Sequence, residues 1–186
     1  MAGIVIYGTQ YGTAKQYAEE LARRTGFAIC QYDAVGNINE FDAIAYVGSL
    51  YAGGVVGMRK TLSKLGDCQD KKIAIATVGL ADPADQENVS NILGSAQRQL
   101  SKDVFENARF FCLRGGIDYS KLSFKHKTMM RLLHGKAKNL PEEQKTAEVR
   151  AMLETYGKRV DFVDFDSLDP IVAYLRSAES IACEPS

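Results

Sequence analysis

The sequence predicts an α/β fold: a doubly wound, five-stranded parallel sheet with helices on both faces. Three observations point there. Short apolar runs alternate with segments of helical spacing along most of the chain. Two of the runs, Phe41–Val47 and Lys72–Val78, are almost continuously apolar, as strands covered on both faces are. The first run ends on a glycine and leads into a helix-spaced segment, which reads as strand, tight turn, helix.

The elements follow in order. Ile4–Tyr7 is the first strand, and Thr13–Arg24 carries Ala14, Tyr17, Ala18 and Leu21 at helical spacing. Ala28–Tyr32, Phe41–Val47, Lys72–Val78 and Ala108–Leu113 are the remaining strands. Helices are expected over Gly57–Leu65, Gln86–Leu100 and Glu142–Tyr156. A terminal helix is expected to start with Asp169 as its N-cap and Pro170 in its first turn. No internal repeat or low-complexity linker interrupts the chain. The reading is a single domain, 1–186, with a basic helical insertion at about 117–141.

Composition narrows the function. With 23 basic and 23 acidic residues the net charge is zero, so no overall field favours nucleic acid. No apolar stretch approaches the ~20 residues of a membrane-spanning helix. The first thirty residues lack the basic and apolar regions of a signal peptide, so a cytoplasmic location is expected. Cys30, Cys68, Cys112 and Cys183 are widely spaced and contain no CxxC pair, which argues against zinc and dithiol chemistry. Asp161, Asp164, Asp166 and Asp169 do not have calcium-loop spacing and read as a solvated connection. No metal site is expected.

In open parallel sheets, ligands sit beyond the carboxyl ends of the strands where the strand order reverses. The loop after the first strand reads Gly8-Thr9-Gln10-Tyr11-Gly12-Thr13-Ala14. Its hydroxyls at Thr9 and Thr13, backbone amides around Gly12 and the positive end of the next helix suit a phosphate. It holds no lysine or arginine, so the donors are neutral. Rival assignments fail on residues. There is no Gly-Lys-Ser/Thr, no G-x-G-x-x-G, and no acid between Met1 and Glu19 for a receiver domain. The alternative for this loop is a polar turn that only caps a helix.

After the third strand, Gly48-Ser49-Leu50-Tyr51-Ala52-Gly53-Gly54 combines small residues with a ring able to stack on a flat ligand. After the fourth comes Thr77-Val78-Gly79-Leu80-Ala81-Asp82, without a tyrosine or an acidic cluster. One face of a bound ring is therefore expected to be lightly covered.

Thr9-Gln10-Tyr11-Gly12-Thr13-Ala14 resembles the FMN-phosphate loop of flavodoxins and of the flavodoxin-like domains of diflavin reductases, with Tyr11 where a threonine is common. The resemblance implies a flavodoxin-like sheet of strand order 2-1-3-4-5 and non-covalent FMN. It implies that FMN contacts Thr9, Gln10, Tyr11, Gly12, Thr13, Ala14, Ser49, Leu50, Tyr51, Ala52, Gly53, Thr77, Val78 and Gly79.

Between Asp118 and Glu142 no acid occurs, while Lys121, Lys125, Lys127, Arg131, Lys136 and Lys138 do. Plotted as a helix, Met129, Met130, Leu132 and Leu133 share one side; Lys127, Arg131 and His134 gather on another. A membrane surface, a quinone-bearing interface, an acidic partner or plain solvation would each suit segment 121–138. His126 and His134 are expected to face solvent or a partner. Gly115–Leu122 and this methionine-rich run resemble the insertion of the subgroup that includes bacterial quinone-dependent protoporphyrinogen oxidase. Two uses of FMN stay open. One is electron transfer with a redox partner protein. The other is an oxidoreductase reaction passing electrons from a small organic substrate to a quinone. An interaction module without flavin is a third. No side chain is named as catalytic, because the flavin carries the redox chemistry.

Overall fold

Side-chain size on the two faces of the sheet decides how its helices pack. In the computed structural model, which describes residues 1–51 and 53–177, the central strands alternate small and large residues. Val5, Ala45, Val47, Ala74 and Ala76 point to one face, where α1 (Thr13–Thr25) and α7 (Asp169–Arg176) pack through Ala14, Tyr17, Leu21, Ile171 and Leu175. Ile4, Ile6, Ile44, Tyr46, Ile73 and Ile75 point to the other. There they meet Met58 and Leu62 of α2 (Met58–Leu62), Ala96 of α3 (Gln86–Gln99) and Val104 of α4 (Lys102–Asn107). Short residues under α1 let that helix approach the sheet closely, which is how a loop ahead of it can meet the strand ends.

The strands are β1 (Gly3–Gly8), β2 (Ala28–Gln31), β3 (Ala43–Tyr51), β4 (Gly54–Val55), β5 (Lys72–Gly79) and β6 (Ala108–Arg114). Their order is β2-β1-β3-β5-β6, all parallel, with the two-residue β4 folding back antiparallel on the end of β3. With β4 set aside, the long strands follow the expected 2-1-3-4-5 order of a flavodoxin-like sheet. The order reverses between β1 and β3, so the two first-reached loops open side by side.

Beyond the carboxyl edge lies an annex. β7 (Gly116–Asp118) and β8 (Arg159–Asp161) form an antiparallel ribbon, flanked by α5 (Phe124–Lys138) and α6 (Ala147–Thr155). Ile117, Tyr119, Leu122 and Met130 bury one another there, with Met129, Met152 and Tyr156 against them. The Tyr17 hydroxyl ties this annex to the main sheet. It donates to the Arg114 carbonyl at 2.7 Å and accepts from the Asp164 amide at 2.9 Å.

Several expected boundaries differ. The helix drawn over 142–156 begins at Ala147, because the Thr146 hydroxyl accepts from the Val149 amide and caps it there. The basic insertion is α-helical only from Phe124, capped by Ser123, after a 3-10 turn at Tyr119–Lys121. Asp169 is not an N-cap: its backbone is already helical, and its carboxylate reaches Arg24 at 2.7 Å. Asp161 and Asp164 accept from the amides two residues on and shape the connection locally. Among the described residues no acidic or cysteine-histidine group is arranged to hold a metal, and no helix is long and apolar enough to cross a membrane. Cys183 lies outside the described residues.

Candidate functional site

The first loop starts α1 without a side-chain cap. Gly12 takes the left-handed conformation at φ 94°, and no side chain accepts from the first-turn amides. Those N–H groups have no acceptor inside the helix, so they and the helix dipole present a partial positive charge outward. Any residue but glycine is strained at this φ, although a Cβ there would meet nothing within 4 Å. Open space thus lies beside the loop at its most donor-rich point.

The hydroxyls divide their roles. Thr9 Oγ1 accepts from the Gly12 amide at 2.9 Å, which closes the turn and leaves the hydroxyl proton free to donate. Thr13 Oγ1 donates to the Gly116 carbonyl at 3.3 Å, so it joins the loop to β7 rather than pointing freely outward.

From this loop a cleft of about 570 Å³ runs along the strand ends. Tyr11, Thr13, Ser49, Leu50, Tyr51, Gly53, Val78 and Gly79 line it, bringing together eight residues singled out from three separate loops. Gln10 instead lines a neighbouring groove of about 380 Å³, which Tyr51 and Gly53 share with Ser95, Arg98 and Gln99. Thr9 and Gly12 build the turn at its end. Ala14 and Thr77 do not line the cleft. Ala14 is buried in the α1 core, and Thr77 is buried within the sheet beside Phe111 and Cys112. Ala52 lies outside the described residues. A Cβ on Gly79 would come within 2.7 Å of Leu50 Cδ1, so the Leu50 side chain would have to turn away to admit one.

The cleft is enclosed well beyond the three loops. α5 and α6 wall the cleft with Met129, Met130, Leu133, Val149 and Met152, and the connection between them adds Leu140. The methionine-rich run was visible in the sequence, but only packing reveals that it turns inward onto loops more than fifty residues upstream. Leu132, grouped with those residues by helical projection, is instead 63% exposed. His126 is likewise not a solvent-facing residue. Its Nε2 lies 3.1 Å from the Gln10 amide nitrogen, and its ring stands edge-on to Tyr11 and Tyr51 at 5.6 and 6.3 Å. His134 stacks on Tyr156 at 3.9 Å and fastens α5 to the end of α6.

Polar groups in the cleft are few. The Tyr51 hydroxyl donates to Met129 Sδ at 3.3 Å, bridging the third-strand loop to α5. Burial, then the neighbouring Tyr51, raises the Tyr11 pKa, so its phenol stays protonated. Glu148 opens onto the cleft among apolar side chains, and this poorly solvating setting raises its carboxyl pKa. Lys136 contributes the cation on the opposing helix. Tyr119, buried behind the wall without a partner for its hydroxyl, is pushed up to about 12 by burial, with Tyr156 and Tyr11 adding to it.

The cleft therefore offers free amides and a hydroxyl at one end and aromatic and aliphatic walls along its length. That combination suits a phosphate joined to a flat, apolar ring system, and FMN is such a molecule.

Comparison with known proteins agrees on the family. The model of the family described as flavodoxin domain matches residues 4–144. No curated protein matches the chain. Among solved structures, the chain is similar to a Fusobacterium nucleatum flavodoxin bound to flavin mononucleotide, at 16% identity and TM-score 0.44 over 67% of this chain and 76% of that one. A flavodoxin, WrbA-like protein from Agrobacterium tumefaciens gives 21% identity and TM-score 0.40 over 60% and 82%. The azoreductase AzrA gives 9% and 0.47 over 83% and 96%. What each of those proteins binds is a property of that protein. The family match spans most of the chain and coincides with a flavodoxin-like sheet: this chain belongs to the flavodoxin domain family, and FMN is the cofactor which that membership implies.

Proposed function

We propose that the protein binds one FMN non-covalently in this cleft and uses it to move electrons between a donor and an acceptor. The observation that carries the reading is the uncapped start of α1 opening onto an apolar cleft at the reversal point of the sheet. In this reading the amides of the first turn and the Thr9 hydroxyl hold the phosphate, while Leu50, Tyr51 and Gly79 flank the ring. The bound flavin supplies one- or two-electron redox chemistry. The protein's residues position it and exclude water from one side.

Two uses of the flavin follow, and a specific feature separates them. A carrier serving a redox partner protein needs an exposed ring edge and little more. Here the cleft continues beneath α5 and along α6, with apolar walls and, among the described residues, only Lys136 and Glu148 as charged groups. That extension favours the second use: an FMN-dependent oxidoreductase that takes a flat, largely apolar organic molecule beside the flavin. Oxidation of a porphyrinogen-like substrate with transfer to a quinone, the reaction implied by the subgroup resemblance, is compatible with such a pocket. The protein would supply Lys136 as an anchor for an acidic substituent and Glu148 as a group able to hold or move a proton at its carboxyl oxygens.

The test is anaerobic. Protein loaded with FMN and reduced chemically is mixed with a water-soluble naphthoquinone, and re-oxidation is compared with that of the same concentration of free reduced FMN. Saturation with quinone concentration, lost in Met129→Trp, supports the oxidoreductase. A linear dependence unaffected by that substitution supports the carrier.

A further inference from the structure

The outward face of α5 has its own pattern, distinct from the face that lines the cleft. Phe124 is 87% exposed and Leu132 63% exposed, and Thr128 stands between them. At positions i, i+4 and i+8 these three form one continuous stripe along the helix. Nothing among the described residues covers Phe124 or Leu132. A solvent-facing phenylalanine aligned with a leucine has no role in the core, since Met130 and Ala137 on the opposite side already supply the helix's buried contacts.

Cations flank the stripe on both sides. At 100° per residue, Lys127, Arg131 and Lys138 fall along one border and Lys125 along the other, with Lys136 beyond it turned to the cleft. No acidic residue lies between Asp118 and Glu142, although the chain as a whole is neutral. Positive charge is thus concentrated where the apolar stripe is. An apolar stripe bordered by lysines is the pattern of a helix lying in the headgroup layer of an anionic bilayer. An acidic protein would satisfy the lysines. It would give Phe124 and Leu132 a partner only by offering a matching groove, whereas a lipid surface accepts both features without shape matching.

We infer that the outer face of α5 docks on an anionic lipid surface, with Phe124 and Leu132 entering the headgroup region and the flanking lysines meeting lipid phosphates. The inner face of the same helix walls the cleft through Met129, Met130 and Leu133. Leu133, 45% exposed, sits where the two faces meet. Docking on this side sets the cleft one helix away from the membrane, where a lipid-dissolved acceptor or an apolar substrate is concentrated. The inference extends the oxidoreductase reading but is scored independently of it, because vesicle binding is read on the protein and FMN retention on the flavin.

The experiment is flotation of the full chain with vesicles of phosphatidylcholine alone or of three parts phosphatidylcholine to one part phosphatidylglycerol. Binding is expected only to the anionic vesicles, and raising salt from 0.1 to 0.5 M should weaken it about tenfold or more. Each of Lys125→Gln and Arg131→Gln should weaken it about fivefold. The double variant Phe124→Ser with Leu132→Ser should reduce it about tenfold. FMN fluorescence quenching by that double variant, expected to match the unaltered chain, confirms that the fold persists. Phe165→Ser, at an exposed ring elsewhere, should bind like the unaltered chain. Failure to float with anionic vesicles overturns the inference. So does binding to polyglutamate as tight as to vesicles and indifferent to the Phe124 and Leu132 changes, which would point to an acidic protein instead.

Discussion

The Gln10 side-chain amide donates to His126 Nε2 across 3.1 Å, linking the first loop of the sheet to the helix that roofs the cleft. The other ring nitrogen, Nδ1, lies 3.2 Å from Ser123 Oγ, whose oxygen also accepts from the His126 amide. With Nε2 accepting, the proton of the neutral ring sits on Nδ1 and is directed at Ser123. The N-cap of α5 therefore fixes the ring that latches the helix to the first loop of the sheet.

His126→Ala removes that latch while leaving the buried contacts of Met130 and Ala137 intact. Loss of one such hydrogen bond is worth about 1 kcal/mol, or roughly fivefold in an equilibrium. Both association and release of FMN are expected to accelerate, with release gaining more. Stopped-flow fluorescence measures both rates. Unchanged rates would show that α5 does not control entry.

Gly12 tests the loop more severely. Gly12→Ala introduces a side chain at φ 94°, a conformational cost of about 1–2 kcal/mol, and should weaken FMN about tenfold. Gly12→Asp adds a negative charge beside the phosphate and should weaken it a hundredfold or more. The difference between the two variants isolates charge from strain. Their melting temperatures should be similar, because a Cβ at this position meets no neighbouring atom.

Glu148 gives a pH dependence of definite sign. The residue is exposed, but apolar side chains around its carboxyl in the cleft raise its pKa above the ordinary 4.5, so the unfolded chain holds its proton less tightly than the folded one. The folded state is favoured by this group below pH 4.5 and loses that advantage as pH rises through the folded pKa. Glu148→Gln should therefore raise the melting temperature at pH 8 and leave it unchanged at pH 4. Thermal unfolding at the two pH values checks this. An equal effect at both would assign the change to packing.

Glu20 runs the opposite way. Hydrogen bonds from Arg23 and Arg24 lower its pKa to about 2. Its contribution is present above the unfolded value of 4.5 and disappears as pH falls toward 2. Glu20→Gln should lower the melting temperature at pH 7, with the gap to the unaltered chain closing at pH 2. A gap independent of pH would mean that charge is not involved.

The sheet could be read from the sequence because its signal is local. Runs such as 41–47 and 72–78 declare buried strands by composition alone, and Gly8 and Gly12 mark the turn between β1 and α1. The loops around Tyr51 and Gly79 were likewise found by following strand ends. What escaped notice depends on contacts between distant segments. β7 and β8 are three-residue strands that exist only as each other's partners, forty residues apart. α4 is six residues long and gains its place by burying Val104. Helical projection put Leu132 with the methionines because it assigns angles but cannot say where the neighbouring wall lies. His126 was unreadable for the same reason: its partner Gln10 is 116 positions away.

Uncharged amides and a hydroxyl at the start of α1 are expected to grip a phosphate. Titration of the protein with FMN and with riboflavin, followed by quenching of flavin fluorescence, tests it most directly, since the two ligands share the ring and differ in the phosphate. One FMN is expected to bind per chain, with riboflavin at least a hundredfold weaker. Equal affinity for the two, or no binding of FMN, would contradict it.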